Sequence, residues 1–183
     1  MRVITGTARG RRLKEPQGMD IRPTTDKVKE SMFSILQFDI EGRRVLDLFG
    51  GTGQLGIEAL SRGASEVVFV DKSAAALKLI RENLELCGLS DRARVRNGDS
   101  LAYLRSGEKF DLVFLDPPYD TGLLEQALQD IAGFDICRER GIIMAESPAD
   151  AVLPPLAAPY RLYREYRYGR IKLTVYHRQG NEE

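Results

Sequence analysis

The sequence has 183 residues, of which 43% are hydrophobic and 30% charged, and its formal net charge at neutral pH is zero. This length and balance favour one globular domain, and with no long apolar run we expect neither a signal peptide nor a membrane span. His177 is the only histidine, and Cys87 and Cys137 share no metal-binding spacing. These residues disfavour Ser-His-Asp catalysis, a zinc site and a disulfide framework, so we expect a cytoplasmic protein without a bound metal.

The first predicted element is a helix that follows a loose basic segment. Thr24 or Thr25 can cap a helix through residues 24–38. Its apolar residues recur at helical spacing on one face: Val28, Met32, Ile35 and Leu36. We divide the predicted single domain, residues 1–183, into this N-terminal extension (1–40) and a core (41–183).

From residue 45 onward, apolar strand-like runs alternate with helix-like stretches. The strand-like runs cover residues 45–49, 66–71, 93–97, 110–116 and 141–146, and the helix-like stretches cover residues 54–62, 73–88, 100–106 and 121–132. Such alternation is typical of a parallel sheet with helices on both faces. Two more strand-like runs, 160–168 and 170–178, flank Gly169, which indicates a tight hairpin. The sequence predicts an α/β, Rossmann-like fold with a doubly wound, mostly parallel seven-stranded sheet and an antiparallel C-terminal strand.

A glycine loop follows the first strand of this array. The segment VLDLFGGTGQLG places four residues at the carboxyl end of that strand: Asp47, Gly50, Gly51 and Gly53. Open α/β sheets bind ligands at this edge. Residues 51–56 also match G-x-G-x-x-G, so an NAD-dependent enzyme is the first alternative. Asp47 argues against it, because its carboxylate would repel a pyrophosphate and suits an ammonium group.

Two further carboxylates follow the next two strands. Asp71 can accept hydrogen bonds from both hydroxyls of a ribose, or it can cap the helix that begins near Ser73. Asp99 can accept from an adenine amino group or cap the helix that follows it, and the two roles are compatible. Together with the glycine loop, these residues indicate a nucleoside cofactor.

The most informative motif is Asp116-Pro117-Pro118-Tyr119, which follows the apolar strand FDLVFL. Two prolines stiffen the loop and remove two amide donors, while the carbonyls remain acceptors. The Asp116 carboxylate and the Pro117 carbonyl could accept from an exocyclic amine and stabilise positive charge growing on its nitrogen during methyl transfer. Tyr119 offers a flat face for a base that has left its stack. The alternative is an ordinary proline-rich turn.

Both ends of the chain are basic. Residues 1–14 contain five basic and no acidic residues, and residues 161–183 contain six basic and three acidic residues. The 16 basic and 24 acidic residues between them give residues 15–160 a net charge of −8. Basic ends on an acidic body suit a phosphate backbone, although solvated terminal strands would give the same pattern. The candidate RNA-binding residues are Arg9, Arg11, Arg12, Arg167 and Arg170.

These motifs resemble those of the class I S-adenosylmethionine-dependent amino-methyltransferases and, more narrowly, of the RsmD family, which methylates guanine N2 in 16S ribosomal RNA. The resemblance runs nearly end to end and includes ITGTARGRRL, IRPTTDKVKESMFSIL, DLFGGTGQLGIEALSRGA, VFVDKS and FDLVFLDPPYD. One departure is Gly50-Gly51-Thr52, where the family usually has alanine, glycine and serine. This change keeps the residues small.

The resemblance implies S-adenosylmethionine as the cofactor, with the glycine loop and Asp47 on its methionine side, Asp71 at the ribose and Asp99 at the adenine. It also implies that Arg22 and Thr24 belong to a segment that closes over the cofactor, and that Asp116 to Tyr119 hold the target base.

The implied reaction is N2 methylation of a guanine of the position-966 type in 16S ribosomal RNA. The implied partner is ribosomal RNA or the small ribosomal subunit, with no membrane and a monomeric enzyme.

Three alternatives share parts of this pattern. A DNA N6-adenine methyltransferase shares both motifs but usually needs a target-recognition region, for which this chain has no room. A catalytically idle RNA-binding module would not require the intact DPPY loop. An enzyme that methylates glutamine side chains typically begins the loop with Asn instead of Asp116.

Overall fold

The computed structural model describes residues 1–17 and 25–181, which form an α/β fold around one seven-stranded sheet. The helices are α1 (Asp26–Ile35), α2 (Gln54–Ser61), α3 (Ala74–Cys87), α4 (Ser100–Tyr103) and α5 (Leu123–Phe134). The strands are β1 (Arg44–Asp47), β2 (Glu66–Asp71), β3 (Ala93–Asn97), β4 (Phe110–Leu115), β5 (Cys137–Pro148), β6 (Tyr160–Tyr168) and β7 (Ile171–Arg178). Across the described ranges, no helix is long and apolar enough to cross a membrane.

The strand order is β3-β2-β1-β4-β5-β7-β6, so the direction of the chain across the sheet reverses between β1 and β4. Strands β1 to β5 pair in parallel, and β7 runs antiparallel to both of its neighbours. The predicted doubly wound sheet with an antiparallel C-terminal strand is therefore confirmed. Ligands bind such sheets outside the carboxyl ends of the strands at the reversal point. The topology thus places the candidate site beyond β1 and β4.

Two apolar layers hold the helices on the sheet. Successive strand residues face opposite layers, as Phe69 and Val70 do in β2. The layer with Phe69 packs against α1, α2 and α3, and the layer with Val70 packs against α4 and α5. Burial on both faces explains why these strands are near-continuous apolar runs.

Local signals at the ends of the elements agree with the sequence. Thr25 caps α1 by accepting from the amide of Val28, and Gly88 ends α3 in a left-handed conformation with φ 67°. Gly169 has φ 59° in the two-residue turn between β6 and β7, so the predicted tight hairpin is confirmed. Strand β5 begins at Cys137, four residues before its predicted start. The prediction missed these first residues because they are mostly polar and exposed and so do not continue the apolar run.

The N-terminal residues differ from the loose segment that we predicted. Residues 1–13 form a small hairpin in which the Val3 amide donates to Arg11 O at 2.9 Å and the Gly10 amide donates to Val3 O at 2.9 Å. We call these residues the N-terminal hairpin. The composition of residues 1–13 is typical of a loop, so their ordered structure depends on contacts with the rest of the chain.

Buried polar groups of α1 and α2 fix the N-terminal hairpin. The Glu58 carboxylate accepts from the amides of Ile4 at 2.7 Å and Thr5 at 3.1 Å. The Lys29 ammonium donates to Arg2 O at 2.6 Å and lies 3.6 Å from Glu58 Oε1. Both charged side chains are fully buried, and burial lowers the pKa of Lys29 although Glu58 opposes that change. Burying such a pair is tolerated because each charge has hydrogen-bond partners.

Candidate active site at the carboxyl edge of the sheet

A cavity of about 860 Å³ opens at the carboxyl edge of the sheet, beside the reversal between β1 and β4. Its described lining includes two lysines, Lys72 and Lys78, and seven acidic residues: Glu15, Asp47, Asp71, Glu82, Asp99, Asp116 and Glu146. The excess of carboxylates gives this surface a negative potential. The cavity therefore suits a ligand that carries positive charge.

Asp47 ends β1 at the floor of the cavity. Its side chain is buried, and one of its carboxylate oxygens accepts from the Gly56 amide at 3.1 Å. Burial raises the pKa of Asp47 to about 7, the Gly56 amide opposes this rise, and the nearby charge of Asp71 adds to it. A carboxyl group of this kind ionises readily when a cation binds next to it.

Asp71 ends β2 and anchors the glycine loop. Its two oxygens accept from the amides of Gly51 at 3.0 Å and Ser73 at 2.8 Å. The cap of α3 is Ser73, whose hydroxyl accepts from the Ala76 amide. Asp71 is therefore not the capping residue, and its carboxylate lines the cavity while it ties the loop to β2.

The predicted glycines take two different positions. Gly50 and Gly51 line the cavity. Gly53 is not among the described lining residues; it begins α2 with φ 81°, and a side chain there would crowd Ile80 and Ile57. Its function in this structure is to turn the chain into α2, because a positive φ favours glycine.

Asp99 caps a helix and also lies on the cavity wall. Its carboxylate accepts from the Ala102 amide at 2.8 Å, which caps α4, and it also lines the cavity. Arg22 and Thr24, the other residues assigned to the cofactor, lie outside the described residues.

The DPPY loop follows β4 and forms one wall of the cavity. Asp116, Pro117, Pro118 and Tyr119 all line it. The Thr121 hydroxyl donates to Pro118 O at 2.9 Å, which closes the turn behind the prolines. The loop thus presents the carboxylate and the tyrosine ring from a stiff backbone.

Glu146 is a cavity residue to which the sequence analysis assigned no function. It lies near the end of β5 with 4% of its surface exposed, and the Tyr119 hydroxyl donates to its carboxylate at 3.2 Å. The sequence contains a signal for this position, because Glu146 follows the apolar run IIMA just as Asp71 and Asp116 follow apolar runs.

Asn83 is a second residue that sequence reasoning missed. Its side chain is fully buried, exchanges two hydrogen bonds with the backbone of Lys14 and donates to Thr52 O at 3.1 Å. It therefore joins Lys14, the residue that follows the N-terminal hairpin, to the glycine loop. The next residues along the chain, 15–17, line the cavity.

The five candidate RNA-binding arginines are exposed but lie in two places. Arg11 and Arg12 precede Glu15, a residue of the cavity wall, by four and three residues, and Arg9 belongs to the same N-terminal hairpin.

The other two arginines lie beside the cavity edge. Arg167 pairs with Lys172 across β6 and β7, and Lys172 pairs with Ser147 of β5. Two strand spacings, about 10 Å, therefore separate Arg167 from the residue that follows Glu146. Arg170 lies in the turn between β6 and β7.

The chain is similar to known proteins over nearly its whole length. The sequence model of a family described as "Conserved hypothetical protein 95" matches residues 1–177. "Putative rRNA methyltransferase YlbH" of Bacillus subtilis is 39% identical over 98% of this chain and 100% of its own length. "Ribosomal RNA small subunit methyltransferase D" of Escherichia coli K12 is 34% identical over 100% of this chain and 92% of its own. A solved structure, "Putative methyltransferase yhhF" from Escherichia coli, superposes with a TM-score of 0.89 at 32% identity, covering 99% of both chains.

Proposed function

The chain belongs to the RsmD family, and from this premise we propose that it transfers a methyl group from S-adenosylmethionine to the exocyclic N2 of a guanine in 16S ribosomal RNA. The observation that supports the chemistry most directly is the DPPY loop, which projects Asp116 into an acidic cavity beside the sheet reversal. We further propose that residues 1–183 act as one monomeric methyltransferase domain and that the target is a guanine of the position-966 type.

The donor set of the cavity fits this cofactor. When bound, S-adenosylmethionine supplies a methyl group activated on a positively charged sulfur. The Asp47 carboxylate would hold the ammonium group, Asp71 the ribose hydroxyls and Asp99 the adenine amine. The seven carboxylates suit these cationic and hydrogen-donating groups and disfavour the pyrophosphate of a dinucleotide.

Asp116 and Pro117 would prepare the amine for attack. The lone pair of an exocyclic amine is delocalised into the ring, so its nitrogen is a weak nucleophile. A carboxylate and a carbonyl that accept from its hydrogens favour a pyramidal nitrogen and stabilise the positive charge that develops on it. Asp116 would also accept the proton that the amine loses. Tyr119 would stack against the unstacked base, which contributes about 1–3 kcal/mol.

Ribosomal RNA as the partner agrees with the positions of the arginines. Arg167 and Arg170 adjoin the cavity edge, where they could contact phosphates next to the target nucleotide. The arginines of the N-terminal hairpin lie on a separate element, which precedes the cavity-lining residues 15–17, so they would contact a different part of the RNA backbone. Phosphate contacts position a protein on RNA and make binding salt-dependent.

The test is to incubate the protein with labelled cofactor and total RNA, 30S particles or duplex DNA, and to map the labelled base. Label on a guanine N2 of 16S RNA is expected, whereas label on adenine N6 would refute the proposed substrate. Asp116→Asn keeps the size of the side chain but replaces an acceptor with a donor. Single-turnover transfer at saturating RNA should then fall by about 10²–10³-fold, while cofactor affinity changes little. Transfer at the parent rate would refute the role of Asp116.

A further inference from the structure

Glu146 lies beside Asp116 at the carboxyl edge of the sheet. Strands β4 and β5 pair in parallel, with Leu115 opposite Ala145, so the next residues along each strand are Asp116 and Glu146. Neighbouring strands lie about 4.8 Å apart. Two carboxylates thus reach the same wall of the cavity from adjacent strands.

The surroundings of Glu146 favour contact with a planar base. It lines the main cavity and a second one of about 100 Å³, and the DPPY loop lines both. The Tyr119 hydroxyl donates to Glu146 Oε1, so the ring that would stack on the base is held by the same carboxylate. A carboxylate has about four acceptor sites, so it can accept from Tyr119 and from a base at once.

Guanine and adenine differ in what they would present to this carboxylate. Next to its N2 amine, guanine carries an N1–H donor, and both nitrogens are bonded to the same carbon. Adenine carries an N1 acceptor next to its N6 amine, and two acceptors that face each other repel. A carboxylate beside the one that holds the amine therefore fits guanine and rejects adenine.

We infer that Glu146 is the specificity-determining residue of the site, and that it selects guanine by accepting a hydrogen bond from N1–H. This inference rests on the proposed function, since it requires that guanine N2 is the methyl acceptor. Asp116 acts on the amine, Tyr119 stacks on the ring, and Glu146 distinguishes the base.

The test replaces the mapped guanine with 2-aminopurine, which keeps the N2 amine but has a lone pair instead of a hydrogen at N1. The modified 16S RNA is made by splinted ligation and used naked or assembled into 30S particles, in whichever form the wild-type protein methylates. For the wild type, kcat/KM with guanine should exceed that with 2-aminopurine by at least about tenfold, because a hydrogen bond to a charged acceptor is lost. Fluorescence of 2-aminopurine measures insertion of the base independently of methyl transfer.

Glu146→Gln is the informative variant, because glutamine keeps the size and an acceptor for Tyr119 but can donate to N1 of 2-aminopurine. We expect the preference for guanine to fall by at least about tenfold and insertion of 2-aminopurine to become tighter. Tyr119→Phe is the matched control: it removes the hydrogen bond to Glu146 but keeps the ring and the carboxylate, so the guanine preference should persist.

The outcomes separate this inference from the proposed function. If the wild type methylates no guanine N2, the proposed function is wrong and the inference is wrong with it. If the wild type methylates guanine but Glu146→Gln keeps the same preference, only the role of Glu146 is refuted. Equal rates of the wild type on guanine and 2-aminopurine would refute that role without any variant.

Discussion

The raised pKa of Asp47 predicts that cofactor binding depends on pH. Burial raises this pKa to about 7 from an ordinary value of 3.8, so the carboxyl group of the ligand-free protein is largely protonated at pH 6. The proposed contact with an ammonium group needs the ionised form, because a protonated carboxyl group attracts a cation weakly. Binding at pH 6 should therefore release nearly one proton.

The magnitude follows from the ionised fraction of Asp47. With a pKa of about 7, that fraction increases roughly eightfold between pH 5.5 and pH 6.5, and cofactor affinity should increase by the same factor. The ammonium group itself stays charged in this window, since α-amino groups have pKa values of about 7.7–8.0. Isothermal titration calorimetry in buffers of different ionisation enthalpy measures both the affinity and the proton release.

Asp47→Asn is the matched variant for this prediction. Its amide oxygen can still accept from Gly56, so the loop keeps its anchor, but it has no proton to lose. Its cofactor affinity should be lower than that of the wild type at pH 6.5 and nearly independent of pH. If the variant keeps the eightfold dependence, or the wild type releases no proton at pH 6, the assignment of Asp47 to the ammonium group is wrong.

The raised pKa of Asp47 also affects the free energy of unfolding. Between pH 3.8 and about 7 the unfolded chain loses the Asp47 proton while the folded protein keeps it. The contribution of Asp47 to the free energy of unfolding therefore falls as pH rises through this window and is constant above it. Asp47→Asn should lose less stability over this range in urea titrations than the wild type does.

Three further predictions concern cofactor binding, RNA binding and the N-terminal segment. Asp71→Ala should weaken cofactor binding by about 1.5–3 kcal/mol; unchanged affinity in calorimetry would leave Asp71 only its role as anchor of the glycine loop. Replacing Arg167 and Arg170 with Ala should flatten the salt dependence of RNA affinity, because fewer phosphate contacts are made. Replacing Arg9, Arg11 and Arg12 should have the same effect, and neither variant should change cofactor affinity. A variant with the parent salt slope would show that its arginines contact no phosphate. Asn83→Ala leaves the buried carbonyl of Thr52 and two partly buried backbone groups of Lys14 without their partner. It should lower the free energy of unfolding by about 1–3 kcal/mol, with faster proteolysis in the first 17 residues; parent-like cleavage would contradict this.

The sequence predicted the sheet well because burial on both faces leaves a simple pattern. Strands β1, β2 and β4 are short apolar runs that end in or next to carboxylates, and parallel strands bring these ends to one edge. The positions of Asp47, Asp71 and Asp116 around one cavity follow from this alone. Glu146 follows the same rule, but a motif search finds DPPY and passes over a single glutamate.

Other parts of the site depend on contacts between residues far apart in the chain. Glu58 is fully buried in α2, where a charged residue would normally face solvent, and its partners Ile4 and Thr5 precede it by more than 50 residues. No periodicity links such positions, because the pairing arises only when α2 packs on the sheet. The sequence therefore indicated a loose basic segment where the structure has the N-terminal hairpin.

The N-terminal hairpin is connected to the cavity through buried polar residues. Glu58 and Lys29 fix the start of the hairpin. The side-chain amide of Asn83 binds Lys14, directly after the hairpin, and also donates to Thr52 O of the glycine loop. Residues 15–17 then line the cavity. A contact between RNA and the hairpin arginines would thus act on a segment that is continuous with the wall of the cofactor cavity. Buried polar residues thus connect the hairpin to the cavity wall, and contact networks of this kind can carry coupling between two sites.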